Sequence, residues 1–149
     1  MKQHLTLALL ALATFAARAH ITLEQPEAPA ASSYRAVFKV GHGCEGSATR
    51  QVIVTLPEGV RGAKPMPKAG WTIARPAANQ ISWTARGAED QLQDDWYDEF
   101  VLRVGLPAQA GDFSFPVRQV CVQGQADWQA KLKLLPAATP ATPAAAHQH

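Results

Sequence analysis

From His20 to Pro136, apolar and polar residues alternate with a period of two in short runs separated by Gly, Pro, Asp and Gln, and no window carries a helical period. Tyr34, Ala36, Phe38 and Val40 share one face of a first strand, with Arg35 and Lys39 on the other. Val52, Val54 and Leu56 repeat the pattern. Further strands are predicted at 71–75, 80–86, 97–106, 113–123 and 130–135, with 20–23 pairing at an edge. Seven or eight short strands with turn residues between them fit a β-sandwich, so the fold class is all-β. Within 97–106, Phe100, Leu102, Val104 and Leu106 form an apolar row, and Glu99 therefore points away from it with Tyr97, Val101 and Arg103. The run from Phe113 changes phase. Phe113, Phe115 and Val117 alternate, Val120 and Val122 belong to the other set, and Pro116 points to an edge or a bulge. Pro65, Pro67 and Gly70 predict an extended loop over 63–70, with Lys64 and Lys68 solvated.

The ends of the chain depart from this pattern. Lys2 precedes an apolar run from Leu5 to Ala17 that closes on Ala17-Arg18-Ala19, the small-residue signature a signal peptidase reads, so residues 1–19 are expected to be a cleaved secretory signal peptide. The run is too short to span a bilayer, and no Cys beside the cut offers a lipid site, so the mature product is expected to lack an integral membrane segment. In a cell with two membranes it is expected in the periplasm. From Pro136 the chain is Ala, Pro and Thr up to His147-Gln148-His149, so 136–149 is expected to be a disordered tail. One domain, 20–135, lies between them.

Charge narrows the partners. The formal net charge is +2, and removing Lys2 and Arg18 takes the basic count from 14 to 12, equal to the acidic 12. A neutral chain without a basic cluster cannot neutralise phosphates, which excludes nucleic acid as a partner. G-x-S-x-G, G-x-x-x-x-G-K-[ST], H-E-x-x-H and the dinucleotide-binding glycine pattern are all absent, so the chain does not read as an enzyme. Its two cysteines, Cys44 and Cys121, are expected to pair in an oxidising compartment. The alternative, a Cys-based metal or redox site, lacks the C-x-x-C spacing.

Cleavage after Ala19 would make His20 the first residue. An N-terminal His offers its α-amine and imidazole Nδ1 as a six-membered chelate, a planar nitrogen set that suits Cu(II). The amine is available because its pKa is near 8, well below that of lysine. The competing reading is that His20 merely follows the cleavage site. His42 could be taken for a second ligand, but its place two residues before Cys44 reads better as part of a disulfide-bearing turn.

Several linked motifs carry a resemblance: Tyr34 to Thr49 (YRAVFKVGHGCEGSAT), Leu56-Pro57-Glu58-Gly59-Val60, Lys64 to Trp71 (KPMPKAGW), Trp96 to Leu102 (WYDEFVL), Phe115 to Cys121 (FPVRQVC), then Gly124 and Trp128. In this order they resemble the YcnI-type copper-binding domain family over nearly the whole domain. The sequence departs at Ala48, where members usually carry Pro, a difference expected in a turn. The resemblance implies an immunoglobulin-like β-sandwich holding one Cu(II) through a one-histidine brace. His20 would give the amine and Nδ1, Glu99 the carboxylate, and Trp128 the indole against the metal. It also implies service in copper homeostasis as a carrier, buffer or metallochaperone, beside other periplasmic or membrane copper-transport proteins. His147 and His149 are candidate auxiliary donors on the tail. From the strand pattern alone, Glu99 would instead face a cross-strand Lys or Arg, and Trp128 would be a core or rim aromatic. Two other functions compete: a copper-dependent oxidative enzyme, which needs a second histidine on the ion, and an immunoglobulin-like interaction module in which His20 is incidental.

Overall fold

The computed structural model describes residues 20–138; the predicted leader 1–19 and the His147/His149 pair lie outside the described residues. Ten strands form two facing sheets. They are β1 (Thr22–Leu23), β2 (Glu27–Pro29), β3 (Ser33–Val40), β4 (Thr49–Thr55), β5 (Arg61–Pro65), β6 (Trp71–Ala74), β7 (Gln80–Ala85), β8 (Asp98–Gly105), β9 (Gly111–Cys121) and β10 (Gln125–Leu135), with one 3₁₀ turn at Ala88–Asp90. One sheet has the order β1-β3-β8-β5 and the other β2-β10-β9-β4-β7-β6. Pairing is antiparallel except for β2, which lies parallel to β10.

In β3, β4 and β8 the apolar rows expected from the sequence are the rows that are buried. Tyr34, Ala36, Phe38 and Val40 of β3 and Phe100, Leu102 and Val104 of β8 face Val52, Val54, Ile81, Trp83, Phe115 and Val117 across the core. Edge-on aromatic contacts tie the sheets: Phe38 meets Phe115 at 5.6 Å, and Phe100 receives Trp71 at 4.9 Å and Trp83 at 5.8 Å.

Three expectations need correction, and one strand, β2, was not anticipated. β5 occupies part of the stretch expected to be a loop. Its sequence, Arg-Gly-Ala-Lys-Pro, has no alternation, and its ladder to β8 slips between Arg61 and Lys64. As an edge strand it tolerates Pro65. β2 is too short to show a pattern and exists because β10 offers it a partner. Lys68 is not simply solvated: its ammonium lies 2.6 Å from Asp98 Oδ1 and 5.1 Å from the Phe100 ring centroid. The phase change in β9 does not occur. Phe115, Val117, Gln119 and Cys121 all point inward, so Val120 and Val122 sit on the ordinary outer face. The irregularity is in β4, between Thr49 and Gln51, and Pro116 is spared a β4 partner because that ladder ends at Val54↔Val117.

The expected disulfide joins Cys44 to Cys121, with a Cα separation of 6.0 Å across 77 positions. It pins the loop after β3 to the end of β9. That loop turns through Glu45 and Gly46, both in the left-handed region with φ of 50° and 86°, and closes with reciprocal bonds between Cys44 and Ser47. Gly43 packs so tightly that a Cβ there would lie 1.9 Å from the Ser47 carbonyl oxygen.

Candidate metal centre

His20 stands at the mouth of this sandwich. Thr22 and Leu23 pair with Lys39 and Phe38, and Ile21, 2% exposed, is buried in the core, so the chain is anchored one residue past His20. β1 also packs on β10 of the opposite sheet. That contact brings the exposed His20 ring 5.3 Å from the indole of Trp128, inclined at 65°. The His42 ring meets the same indole at 6.4 Å and 90°. Two imidazoles from the four-stranded side therefore flank one tryptophan of the six-stranded side.

Trp128 cannot drift, because a buried amide holds it. Its Nε1–H donates to Gln119 Oε1 at 3.0 Å, and Gln119 Nε2 donates to the His42 carbonyl and to Thr49 Oγ1, each at 2.7 Å. An indole N–H only donates and a carbonyl only accepts, so a single orientation of the amide fits. Gln119 is 1% exposed, and both its amide N–H groups and its amide oxygen have partners. The loop beyond is fixed by Asp94, whose Oδ1 accepts the Gly43 N–H at 2.9 Å. His42, Asp94 and Trp128 line an open groove that runs along the 44–46 turn and residues 123–127.

Gln119 was hidden in the sequence by the apparent loss of phase in β9. Counting Cys121 as an inward residue would have kept the alternation intact and exposed Gln119 as a polar residue in an apolar row.

Glu99 stands apart from the ring cluster. The register Thr22↔Lys39↔Glu99 puts it two strands from β1, about 10 Å away at the usual strand spacing. The cross-strand lysine expected from the pattern is Lys39, yet the carboxylate is taken by Tyr97, whose hydroxyl donates to Oε1 at 2.5 Å. That bond first, then desolvation and the nearby charges of Glu99, Glu24 and Asp98, push the Tyr97 phenol up to about 12. Two residues past Lys39, just beyond the end of β3, is Gly41, where a Cβ would meet nothing within 4 Å, so the space between the His20 row and the Tyr97–Glu99 pair is open. Among the described residues no three His, Cys, Asp or Glu side chains gather as a metal cage. The structure thus brings His20, His42 and Trp128 together and leaves Glu99 as a neighbour held by Tyr97.

Comparison with known proteins agrees with the fold. An uncharacterized protein from Nocardia farcinica with an immunoglobulin-like fold superposes with a TM-score of 0.67 at 27% identity, over 80% of this chain and 99% of its own. The seventh ScaB type I cohesin from Pseudobacteroides cellulosolvens superposes with a TM-score of 0.51 at 8% identity, over 87% of this chain and 97% of its own, a likeness of fold alone. No curated protein matches the chain. The sandwich is immunoglobulin-like, as the resemblance implied. The profile of a domain of unknown function, DUF1775, to which the YcnI-type proteins belong, matches residues 20–77 and 74–148. The chain belongs to the DUF1775 family.

Proposed function

We propose that the protein is exported, carries one Cu(II) at a brace formed by its mature N-terminus, and serves copper homeostasis as a carrier or buffer without a catalytic step. The observation that carries this reading is the position of His20: an exposed imidazole, one residue from a buried anchor, against an indole that is itself fixed from below. In the uncut chain the His20 nitrogen is a peptide amide. Cleavage after Ala19 converts it to an amine beside the imidazole, and the anchored Ile21 means little freedom is lost on chelation.

The donor chemistry fits copper. Nitrogen donors in a compact set favour Cu(II) over other divalent ions, and a carboxylate offsets part of its charge. Glu99 is the carboxylate of this reading and would give up its bond to Tyr97 to serve, reaching over Gly41. Trp128 forms the wall that shields the ion from competing ligands. The periplasm is the compartment of this reading, in keeping with the disulfide, and copper-transport proteins of the periplasm or membrane are the partners. No helix among the described residues is long and apolar enough to cross a membrane.

The decisive experiment compares chains that begin at His20 with chains carrying one extra residue before it. The first should bind one equivalent of Cu(II) and the second should lose at least about tenfold in affinity, because the extension acylates the amine donor. Equal affinity would remove the brace.

A further inference from the structure

We propose that the outer face of the four-stranded sheet, at the end away from His20, is a docking surface for an acidic, extended segment of a partner protein. This goes beyond the copper reading and does not depend on it. Strand register assembles the surface. Arg35 of β3 lies opposite Arg103 of β8, and Arg103 lies opposite Lys64 of β5, so three cations stand in one row across three adjacent strands about 4.8 Å apart. All three are exposed. Arg61 extends the patch: it lies opposite Gly105, the next outward residue after Arg103, where a Cβ would meet the Arg61 Cβ at 3.8 Å. No stretch of sequence concentrates these charges; the pairing of β3, β8 and β5 does.

Like charges directly opposite one another work against a sheet, and this row has little to offset them. Arg35 reaches Glu24 at 3.7 Å with both side chains more than half exposed, a weak, hydrated pair. Arg103 Nε donates to Ser33 Oγ at 3.1 Å, which leaves the two terminal nitrogens of its fork without a partner among the described residues. Among the described residues Arg61 and Lys64 have no carboxylate within ion-pair distance. Ser33, Arg35, Lys64, Met66, Val101 and Arg103 line an open groove. A membrane would need apolar side chains to enter the acyl boundary, and Met66, 48% exposed, is the one exposed large hydrophobic of the groove. Carboxylates fit better, because guanidinium forks take them in bidentate pairs and a chain segment can lie in a groove that a flat bilayer bridges. The segment lies on the face and does not add to the sheet. β5 is the edge strand, and its edge is blunted by Pro65, which has no N–H, and by Arg75, which donates to the Ala63 carbonyl at 2.8 Å. The rest of the molecule orients such a partner. Residues 89–99 carry six acidic side chains, Glu89, Asp90, Asp94, Asp95, Asp98 and Glu99, and no Lys or Arg. Along the outer face of β8 the sign changes from Glu99 through Val101 to Arg103, over about 13 Å, so an acidic segment is repelled at one end and drawn to the other.

The probe is a fluorescein-labelled ten-residue peptide of alternating Glu and Thr, which puts every carboxylate on one face when extended, with a Gln/Thr peptide as control. Each is titrated with the metal-free chain from His20 to His149 and read by fluorescence anisotropy. The Glu peptide is expected to bind at low salt and to weaken as salt rises, and the Gln peptide is expected not to bind. Lys64→Gln combined with Arg103→Gln should lower the affinity about tenfold, with a thermal midpoint that holds or rises because like charges are removed. Lys64→Gln alone, at an exposed position on an edge strand, serves if the pair fails to fold and should lower the affinity about threefold. Lys131→Gln, exposed on β10 of the other sheet, should leave binding unchanged. Absence of binding at low salt overturns the proposal, as does an equal loss in Lys131→Gln, which would reduce the surface to diffuse attraction. Binding of phosphatidylglycerol vesicles that the double variant abolishes, with no binding of the peptide, also overturns it, by assigning the face to a membrane surface. Copper titration is a separate measurement, so failure of either reading leaves the other standing.

Discussion

Glu99 and Tyr97 make the state of the carboxylate measurable. The chain has two tyrosines, so in a Tyr34→Phe background only Tyr97 titrates. Its phenol is held up at about 12, chiefly by the bond to Glu99. Removing that negative acceptor with Glu99→Gln should move the midpoint down toward the ordinary value near 10, because the phenolate then meets less repulsion. Copper drawing Glu99 away from Tyr97 should lower it in the same direction, read as phenolate absorbance against pH. An unchanged midpoint on copper loading would mean that Glu99 stays with Tyr97 and is not a ligand. Gln119 is the other residue with a large effect. Gln119→Leu leaves the Trp128 N–H, the His42 carbonyl and Thr49 without their shared partner, and should cost about 1–3 kcal/mol in denaturant unfolding. The same variant should broaden the Trp128 environment, visible as increased quenching of tryptophan fluorescence.

Between elements, the disulfide is the main tie from the β3 loop to β9. A closed loop of 77 positions is worth roughly 4–5 kcal/mol in the chain-entropy treatment, an upper figure. Unfolding with and without reductant, or with Cys44 and Cys121 both replaced by Ser, should show a loss up to that size. The strands themselves divide by how much of their stability is local. β3, β4 and β8 announce themselves by alternation because one face meets the core. β2 and β5 do not, because their residues contribute backbone pairing at sheet edges more than side-chain burial. Edge pairing depends on a neighbour's backbone, which no local pattern encodes.

At the scale of the molecule, stability against alkali follows from Tyr34. Its hydroxyl donates to the Gln25 carbonyl at 2.5 Å, and burial first, then the charge of Glu24, raise its pKa to about 12. A phenol that ionises near 10 when unfolded and near 12 when folded favours the folded state fully below pH 10. That contribution is lost as pH rises from 10 through 12, so the unfolding midpoint should fall across this window. Tyr34→Phe should flatten the fall, and an equally steep loss in that variant would place the alkaline sensitivity elsewhere.

The sequence by itself determined that the chain is a β-sandwich, which faces of its long strands are buried, and that Cys44 and Cys121 pair, since period-two alternation and a lone cysteine pair are local or compositional signals. It also singled out His20, and the family resemblance added Trp128. Only the tertiary structure decided that the two meet, because their contact depends on an edge strand of one sheet packing on a strand of the other. The same packing brought His42 to the indole and revealed Gln119 beneath it, while register left Glu99 two strands away in the grip of Tyr97. Distances between sheets are set by how their cores interlock, and that is a property of the assembled sandwich rather than of any one segment.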